Sequence, residues 1–505
     1  MFKFILWLVF SFALCNCLYA QNNGYQFSQL DITNGLSNNR VNCIYKDAQG
    51  FMWFGTTSGL SRYDGYAFKN FKHNAEDTQS LYSNYVEKIE EGPENKIWVY
   101  TNNGISIYNP QIEKFSNAVF TGLKKYGIAT KHLNAIKKDG AGNFWFLVDE
   151  GVYRYQPKTK TTSFYSSAAN SKIVLHTNRV TEILGDKNSI CQFIYIDGTI
   201  DKIDAKTGKI LTRNQLLYQA NQGKNLLYRA TASTDGKLWI HVAENPIGIF
   251  CFDPEAGKLT HLLKGTAGSS LNSNLINSIV PGENNTVWIG TDHGGINVIN
   301  TLTNRFEYLV NRVDDLKSLR GNSVVLYKDN TGIVWAGTTK QGISYYHKGI
   351  IQFPQVRHYI FDNNSLPYED VDCFVEDAQG NFWIGTNGGG LLFYDQKTKK
   401  YTQFKHDAAD PNSLSNDIII NMCIDHNQKL WIGTYFGGLE RFENGKFIHY
   451  RHQDNVPESL SDDRVFTLME DSANQLWVGT FSGGLNVFNP KTNQFDHPSY
   501  PSVSN

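Results

Sequence analysis

The chain has 505 residues, and its 47 lysine and arginine residues balance 48 aspartate and glutamate residues to a formal charge of −1. This balance gives no basic stripe for binding nucleic acid and no acidic tract typical of a disordered tail. The length predicts a large globular protein with two or more domains.

The first 20 residues are typical of an export signal. A basic residue precedes an apolar run that ends at Leu14, and Ala20 offers a small residue for cleavage. The run is short for a membrane span. Residues 1–20 are therefore predicted to be a signal peptide, and the mature protein is predicted to be periplasmic. Cys15 and Cys17 leave a lipoprotein open, although their neighbours are poor for that processing.

Nine tryptophans recur at a nearly fixed interval after this segment. Successive tryptophans are 45 to 49 residues apart, except for one gap of 94 residues that is twice the period. A self-similar unit of this length is typical of an array of small sheets rather than one mixed core. The nine are Trp53, Trp98, Trp145, Trp239, Trp288, Trp335, Trp383, Trp431 and Trp477.

The unit is clearest in its first copy. Four strands are predicted there, at Val41–Asp47, Phe51–Thr56, Leu60–Asp64 and Phe68–His73, with polar and glycine-containing turns between them. A four-stranded meander cannot bury both of its faces alone, so it needs a neighbour on each side. A ring of radially arranged blades meets this need and leaves only short strand edges.

An aspartate stands six residues before most of these tryptophans. Its side chain is predicted to close a tight turn on its own backbone. A catalytic role for six equivalent carboxylates spaced round a ring is implausible. The tryptophans are predicted to be wedges between adjacent sheets, since one buried indole removes about 150–250 Å² from water. The aspartates are Asp47, Asp139, Asp329, Asp377, Asp425 and Asp471.

The doubled gap contains a unit without tryptophan. Its segment CQFIYIDGTIDKID, from Cys191, has a strand-glycine-strand pattern, so ten units are present. Propellers usually close with four to eight blades. We expect an all-β protein with a seven-bladed propeller in residues 21–350 and three blades of a second, incomplete propeller in residues 351–505. Tyr25–Ile32 resembles a fourth strand and is predicted to close the first ring by joining its seventh blade from outside.

Five cysteines follow the export signal. Equivalent positions in different blades lie too far apart to bridge, so no disulfide or metal framework is predicted. The cysteines are expected to be small buried hydrophobic residues. They are Cys43, Cys191, Cys251, Cys373 and Cys423.

The repeat L-S-x-x-x-V-x-x-I-x-x-D-x-x-G-x-x-W-x-G-T-x-x-G-L-x-x-Y-D resembles the two-component regulator propeller repeat. The resemblance implies the periplasmic sensor region of hybrid two-component systems in Bacteroidetes. In that family two seven-bladed propellers precede a β-sandwich, a membrane helix, a histidine kinase, a receiver and a DNA-binding domain. The family senses oligosaccharides and switches on genes for their use. The best copies are Leu36–Asp64, Leu366–Asp395, Leu414–Phe442 and Leu460–Asn489.

The sequence departs from that plan, because it shows no second membrane span and no kinase or receiver segment. The resemblance therefore implies ligand recognition without phosphotransfer by this chain, as in a truncated or split sensor, or in a fragment of one. No cofactor is predicted. The expected partners are an oligosaccharide or another small polar ligand, a second copy of the chain, or a fuller sensor protein.

Loop residues that depart from the repeat are the candidate ligand contacts. One set lies between the second and third strands and another precedes the first strand, so both are predicted at the same end of the ring. The first set is Thr57-Ser58, Asn102-Asn103, Asp149-Glu150, Asp292-His293, Lys340-Gln341, Asn387-Gly388, Tyr435-Phe436 and Phe481-Ser482. The second set is Asn39-Arg40, Asn84-Tyr85, Asn322-Ser323, Glu369-Asp370 and Asp463-Arg464. Aromatic rings beside amide, carboxylate and guanidinium groups suit a sugar, although polar loop tips are often only solvated. The predicted contacts are Arg40, Tyr85, Asp149, His293, Lys340 and Tyr435, with Tyr435 in the second ring.

Two other functions are weighed against ligand sensing. A glycan hydrolase or lyase would need two carboxylates roughly 5–10 Å apart in a central cleft, whereas the repeating carboxylates are predicted at turns. No catalytic residue is predicted. His293 has no second histidine at ligand spacing, so no metal site is predicted either. A scaffold that binds another protein through one face stays open as the second function.

Overall fold

The structure is a computed structural model that describes residues 25–265, 269–349, 356–360 and 362–498. The predicted signal peptide, with Cys15 and Cys17, lies outside the described residues. The chain divides into two compact units, Met1–Phe353 and Pro354–Asn505. The described strands form ten four-stranded antiparallel sheets, which confirms the predicted all-β class and the number of blades.

The described strands of the first unit form seven sheets, called blades 1 to 7 in chain order. The strand β1 (Ser28–Leu30) belongs to blade 7, and each other blade is a meander of four consecutive strands. Blades 1 to 3 are β2–β5 (Val41–Lys46, Met52–Thr56, Gly59–Tyr63, Phe68–Phe71), β6–β9 (Val86–Glu91, Ile97–Thr101, Gly104–Asn109, Lys114–Ser116) and β10–β13 (Leu133–Lys138, Phe144–Val148, Gly151–Gln156, Thr161–Tyr165). Blades 4 to 7 are β14–β17 (Val180–Gly185, Ile190–Tyr195, Ile200–Asp204, Lys209–Asn214), β18–β21 (Tyr228–Ala232, Leu238–Val242, Ile249–Asp253, Lys258–Leu262), β22–β25 (Ile276–Pro281, Thr286–Thr291, Ile296–Asn300, Phe306–Leu309) and β26–β28 (Val324–Lys328, Val334–Thr338, Ile343–Tyr346).

The ring of the first unit is closed by its first strand. β1 pairs antiparallel with β28, so that Ser28 lies opposite Tyr345 and Leu30 lies opposite Ile343. The inner strand of each blade contacts the inner strand of the next, and β2 of blade 1 contacts β26 of blade 7. The prediction that the N-terminal strand joins the seventh blade from outside is confirmed.

The described strands of the second unit form three blades in an arc. The inner strand of blade 9 contacts those of blades 8 and 10. Blades 8 to 10 are β29–β32 (Val371–Glu376, Phe382–Thr386, Leu391–Asp395, Lys400–Phe404), β33–β36 (Ile419–Ile424, Leu430–Thr434, Leu439–Glu443, Lys446–Tyr450) and β37–β40 (Val465–Glu470, Leu476–Thr480, Leu485–Asn489, Gln494–Asp496).

The core of the ring consists of apolar layers between neighbouring blades. The tryptophan of a blade lies on the face turned toward the following blade: the Trp53 ring is 4.9 Å from that of Tyr108 in blade 2. In blade 3, Trp145 contacts Phe193 of blade 4 at 5.3 Å, edge to face. Both indoles are fully buried. The repeating indole therefore fills the gap between two sheets.

The repeating aspartate organises the turn before the tryptophan. Asp47 Oδ1 accepts hydrogen bonds from the backbone N–H groups of Gln49 and Phe51, both at 2.9 Å. Its Oδ2 accepts from Trp53 Nε1 at 2.7 Å. This side chain therefore closes the turn on its own backbone and also fixes the indole. The same carboxylate-to-indole bond is present for Asp139, Asp329, Asp425 and Asp471.

Within the ranges that the structure describes, two short helices lie in the connections between blades. α1 (Val119–Lys124) follows blade 2 and buries Val119 and Leu123, and α2 (Leu216–Ala220) follows blade 4 and buries Leu217. Two 3₁₀ turns lie at Ile32–Asn34 and Pro93–Asn95. The repeat did not predict these elements because they lie where its copies diverge. No helix in the described part of the chain is long and apolar enough to cross a membrane.

The cysteines lie on or near the blade interfaces. All five described cysteines are free thiols; Cys191 is buried and the other four are half-buried. Burial raises the pKa of the Cys43 and Cys191 thiols to about 12, so both are neutral thiols at neutral pH. Such thiols behave as small apolar side chains.

Candidate functional site

Four aromatic side chains form an exposed patch on the second unit, called the aromatic platform below. It consists of Tyr435, Phe436, Phe466 and Phe481. Ring centroids lie 4.3 Å apart for Tyr435 and Phe436, 6.0 Å for Tyr435 and Phe466, and 5.3 Å for Phe466 and Phe481. Phe436 and Phe481 are 59% and 63% exposed, and Phe466 is 38% exposed. A contiguous exposed apolar patch of this kind marks a binding surface more often than a packing accident.

The platform is built from two adjacent blades at their loop end. Tyr435 and Phe436 lie in the turn between β34 and β35 of blade 9, and Phe481 follows β38 of blade 10. Backbone hydrogen bonds anchor both turns to residues beside an inner strand: Tyr435 N–H donates to the Ile418 carbonyl at 3.1 Å, and Phe481 N–H donates to the Arg464 carbonyl at 2.9 Å. The scaffold is therefore regular, and only the side chains on it depart from the repeat.

A charged pair borders the platform on one side. Arg464 donates two hydrogen bonds to the Asp462 carboxylate, from Nε at 3.0 Å and from Nη2 at 2.8 Å. The guanidinium also lies over the Phe481 ring, with its carbon 4.7 Å from the centroid. Ser482 Oγ accepts from Arg464 at 2.6 Å and lies 2.5 Å from Asp462 Oδ2. These contacts orient both the guanidinium and the ring beneath it.

The electrostatics of this pair keep it ionised. The hydrogen bonds from Arg464 hold the pKa of Asp462 well below its usual range, and Ser482 lowers it further. Asp462 is therefore a carboxylate at neutral pH and acts only as an acceptor. The platform thus offers flat apolar faces beside a fixed carboxylate, a guanidinium and a hydroxyl.

The other predicted contacts lie on the ring and are spread over five of its blades. Arg40 and Tyr85 precede the inner strands of blades 1 and 2; Asp149 and Lys340 lie in the turns between second and third strands of blades 3 and 7, as does His293 in blade 6. Arg40, Asp149, His293 and Lys340 are exposed, and Tyr85 is half-buried. No hydrogen bond or ion pair joins any two of these five side chains in the described part of the chain.

Both predicted loop sets lie at one end of their blades. In blade 2, Asn102 N–H of the turn between β7 and β8 donates to the carbonyl of Tyr85, which precedes β6, at 3.2 Å. In blade 7, Thr339 N–H donates to the Ser323 carbonyl at 3.2 Å. The two sets are thus neighbours in space, although the five selected ring residues form no common cluster.

His293 pairs locally rather than with a second ligand. Its Nδ1 lies 2.7 Å from Asp292 Oδ2, and 85% of its side chain is exposed. Its backbone has φ 63°, which the tight turn imposes. Within the described residues, no group of three or more His, Cys, Asp and Glu side chains is placed to hold a metal ion.

Two residues of the site were not among the predicted loop positions. Phe466 lies on the inner strand β37, where an apolar residue is ordinarily interpreted as core. The signal was available, since blades 1 and 6 carry Asn42 and Asn277 at the equivalent strand position. Asp462 directly precedes the predicted pair Asp463-Arg464, and its role follows only from the bidentate contact.

Comparison with known proteins identifies the repeat. The family model described as "Two component regulator propeller" matches residues 35–58, 270–293, 365–388, 413–436 and 459–482. The chain therefore carries two-component regulator propeller repeats, which confirms the resemblance seen in the sequence. The last two matches include Tyr435, Phe436, Phe466 and Phe481 of the aromatic platform.

One relative is a histidine kinase, P4, of Formosa agariphila. It is 39% identical over 74 residues, which are 15% of this chain and 5% of the kinase. The match thus concerns a short segment of a much longer protein.

Solved structures that are similar to this chain come from Bacteroides thetaiotaomicron. The extracellular domain of a protein described as a hybrid two-component system is 22% identical, with a TM-score of 0.61, and the alignment covers 93% of this chain and 66% of that chain. A second such extracellular domain is 20% identical, covers 93% of this chain and 59% of that chain, and has a TM-score of 0.46. The chain thus spans about two thirds of the first of these solved chains, and that likeness establishes the propeller fold.

Proposed function

We propose that this chain is the periplasmic ligand-recognition part of a hybrid two-component sensor and that it binds an oligosaccharide on the aromatic platform. The observation that carries the proposal is the exposure of three phenylalanine rings beside an oriented carboxylate and guanidinium. The two-component regulator repeats and the extracellular domains with the same fold support the sensor assignment.

The chemistry of the platform suits a sugar. A pyranose ring has an apolar face that stacks on an aromatic ring and hydroxyl groups at its edge that donate to a carboxylate or accept from a guanidinium. Phe436 and Phe481 expose more than half of their surface, so stacking would remove apolar area from water on both sides. Arg464, which Asp462 holds in place, then orients the hydroxyl groups at the edge.

The chain is proposed to bind its ligand without transforming it. The repeating aspartates are held in turns by backbone N–H groups, where they cannot face each other across a scissile bond. Asp462 is committed to Arg464 and Ser482 and carries no proton to donate at neutral pH. The site therefore offers recognition but no general acid.

A glycan panel tests the proposal. The mature chain is titrated with neutral oligosaccharides by calorimetry, and each mixture is then analysed for products by chromatography. We expect saturable binding of at least one glycan with no new product. Cleavage of a glycan by the pure chain, or the absence of binding across a panel representative of plant, algal and host polysaccharides, would contradict the proposal.

Two variants locate the binding surface. Phe481→Ala removes one stacking face, and the affinity is expected to fall about tenfold, since such a contact is worth roughly 0.5–1.5 kcal/mol beyond the area that it buries. Phe374→Ala is the matched control, because Phe374 is 67% exposed on the same unit but lies outside the platform. Equal losses of affinity in the two variants would show that the platform is not the binding site.

A protein-binding scaffold is the second candidate. The observation in its favour is that Phe374 on blade 8 and Met469 on blade 10 are 67% and 57% exposed. Such apolar faces are typical of surfaces that meet another protein. Light scattering of the mature chain distinguishes this candidate, which predicts self-association that Phe374→Ala weakens.

A further inference from the structure

The ring departs from its repeat on the inner strands of blades 2, 4 and 5. In regular blades a small or apolar residue of the inner strand lies opposite a glycine of the second strand, as Cys43 lies opposite Gly55. Lys88, Glu182 and Arg229 occupy the equivalent place in the three exceptional blades. Charged residues have therefore replaced small ones next to the axis of the ring.

A hydrogen bond connects blades 2 and 3, and an ion pair connects blades 3 and 4. Lys88 Nζ lies 3.0 Å from Glu90 Oε1 and donates to the Asn134 carbonyl of blade 3 at 3.0 Å. Lys137 Nζ of blade 3 lies 2.7 Å from Glu182 Oε1 of blade 4. Each lysine is thus matched by one carboxylate.

Arg229 of blade 5 is the next charged residue near the axis, and it has no carboxylate partner among the described residues. Its Nη1 donates to the Thr181 carbonyl of blade 4 at 3.3 Å and to the Tyr228 carbonyl at 3.2 Å. No carboxylate oxygen in the described parts of the chain lies within ion-pair distance of it. Among the five charged side chains described here, three cations thus face two carboxylates, and the unpaired charge is that of the half-buried guanidinium of Arg229.

A buried imidazole stands opposite this guanidinium. His241 is the register partner of Arg229 in the β18–β19 pair and is 6% exposed. Its Nδ1 is buried and has no hydrogen-bond partner among the residues that the structure describes. Burial and the charge of Arg229 lower the pKa of His241 to about 3, so the ring is neutral and one of its nitrogens is a donor. A buried unpaired polar atom costs free energy, and a ligand oxygen would remove that cost.

The positive charges near Lys88 also affect its pKa. Burial lowers the pKa of Lys88, and the charges of Lys137 and Arg229 lower it further against the opposing effect of Glu90. Charges on three different blades therefore act on one region near the axis.

We propose that the axis of the seven-bladed ring binds one anionic group, a carboxylate or a sulfate, through Arg229 and His241. The guanidinium matches the paired oxygens of such a group, and the bound anion offsets the excess positive charge. Lys88 and Lys137 contribute potential rather than direct contacts, since each already has a carboxylate. The group is either a free small anion or the acidic substituent of a sugar. The site lies in the first unit and is independent of the platform on the second.

Calorimetry of the mature chain with sodium sulfate and with sodium glucuronate, at an ionic strength fixed by sodium chloride, tests this site. We expect saturable binding of one anion per chain, weakened at least tenfold in Arg229→Gln. Arg229→Lys keeps the positive charge but loses the planar guanidinium that can donate two hydrogen bonds to one anion. This variant is therefore expected to bind with intermediate affinity. Arg305→Gln is the matched control, because Arg305 is an exposed arginine of the same ring and should leave the affinity unchanged.

Several outcomes would overturn the proposal. These are the absence of saturable binding to the wild-type chain, an unchanged affinity in Arg229→Gln, and an equal loss in Arg305→Gln. Should Arg229→Gln fail to fold, as judged by circular dichroism, His241→Gln gives the second test and is expected to weaken binding while Arg229 is kept.

A glucuronate-containing disaccharide and its neutral counterpart identify the source of the group. Binding of the acidic but not the neutral disaccharide, with dependence on Arg229, assigns the anion to a sugar. Binding of sulfate and glucuronate without the acidic disaccharide assigns it to a free anion. Failure of all four ligands contradicts the site and leaves the platform proposal to its own test.

Discussion

The fourth residue of the inner strand is buried in blade 1 of the ring and exposed in blade 8 of the arc. Ile44 in blade 1 is 8% exposed and packs in the layer that also contains Trp335 of blade 7. Phe374, its equivalent in blade 8, is 67% exposed. The two strands have similar sequences and the same pairing, so the difference comes from the neighbour. Burial of a blade face is a property of two blades together and cannot be read from one copy of the repeat.

The repeating tryptophan is likewise buried in blade 9 and partly exposed in blade 10. Trp431 of blade 9 is 2% exposed and packs against Phe488 of blade 10, with ring centroids 4.7 Å apart. Trp477 of blade 10 is half-buried, and no described blade follows it in the second unit. Its hydrogen bond to Asp471 is intact at 2.7 Å. The turn thus forms from local hydrogen bonds, whereas burial of the indole requires a neighbouring sheet.

The largest expected contrast is between two tryptophans. Trp98→Ala in the ring should lower the free energy of unfolding by about 3–5 kcal/mol, because a fully buried indole leaves a cavity. Trp477→Ala in the arc should cost about 1 kcal/mol, since its ring is already partly solvated. Denaturant titration followed by tryptophan fluorescence measures both. A loss below about 1 kcal/mol for Trp98→Ala would mean that the indole is not a packed wedge.

A smaller contrast is expected between Ile44 and Phe374. Ile44→Ala should cost about 2–4 kcal/mol, because it empties part of the layer between blades 1 and 7. Phe374→Ala should cost less than about 0.5 kcal/mol, which is typical of surface substitutions. Thermal unfolding of the two variants beside the wild-type chain gives the comparison. Similar losses would show that the exposed face of blade 8 is covered in solution.

The glycine of the W-x-G-T segment gives a third contrast. A Cβ on Gly55 would lie 2.5 Å from Val86 Cγ1 of blade 2 and would also clash with Cys43 Sγ. Gly55→Ala should therefore cost about 1–3 kcal/mol through overpacking. A Cβ on Gly479 meets one close atom, the exposed Thr467 methyl of its own blade, so Gly479→Ala should cost less than about 1 kcal/mol. A larger loss at Gly479 would contradict the open face of blade 10.

Two histidines give pH-dependent effects, and these differ in sign. The folded-state pKa of His241 lies near 3, below the unfolded value, so the stability that it contributes is present above about pH 6.5 and is lost as the pH falls toward 3. The Glu440 carboxylate, whose Oε1 lies 3.6 Å from His449 Nδ1, raises the pKa of His449, so its contribution is present below about pH 6.5 and is lost as the pH rises through the folded-state value.

The difference in stability between each variant and the wild-type chain, measured from pH 4 to pH 8, checks these signs. His241→Gln should reduce the loss of stability on acidification, by at most about 1.4 kcal/mol per pH unit for one proton. His449→Gln should reduce the gain of stability that the wild-type chain shows as the pH falls. If the stability of both variants changed with pH in parallel with that of the wild-type chain, the environments assigned to His241 and His449 would be wrong.

The regular part of the fold followed from sequence because its causes are local. The spacing of Asp47 and Trp53 fixes a turn whose hydrogen bonds all lie within seven residues. The closing strand was also predictable, since Ser28–Leu30 repeats the character of a fourth strand. Helix α1 was not, because its burial depends on Val119 and Leu123 reaching a layer that two blades build together.

The candidate site was predicted only in part. Tyr435 was selected because it departs from the repeat in a loop, but Phe466 lies on a strand, where apolar residues ordinarily indicate core. The charges near the ring axis were also missed, since Lys88 and Arg229 fit the alternation of a half-buried strand. Comparing equivalent strand positions between blades, rather than loops alone, would have identified both departures.

Amide hydrogen exchange of the mature chain, with and without a neutral oligosaccharide that binds it, tests the central claim most directly. The claim is that the platform on the arc, and not the loop turns of the ring, recognises the neutral oligosaccharide. We predict slower exchange on ligand binding in residues 435–438, 462–466 and 481–484, with no change in the ring turns 292–295 and 339–342. Protection confined to those ring turns would contradict the account.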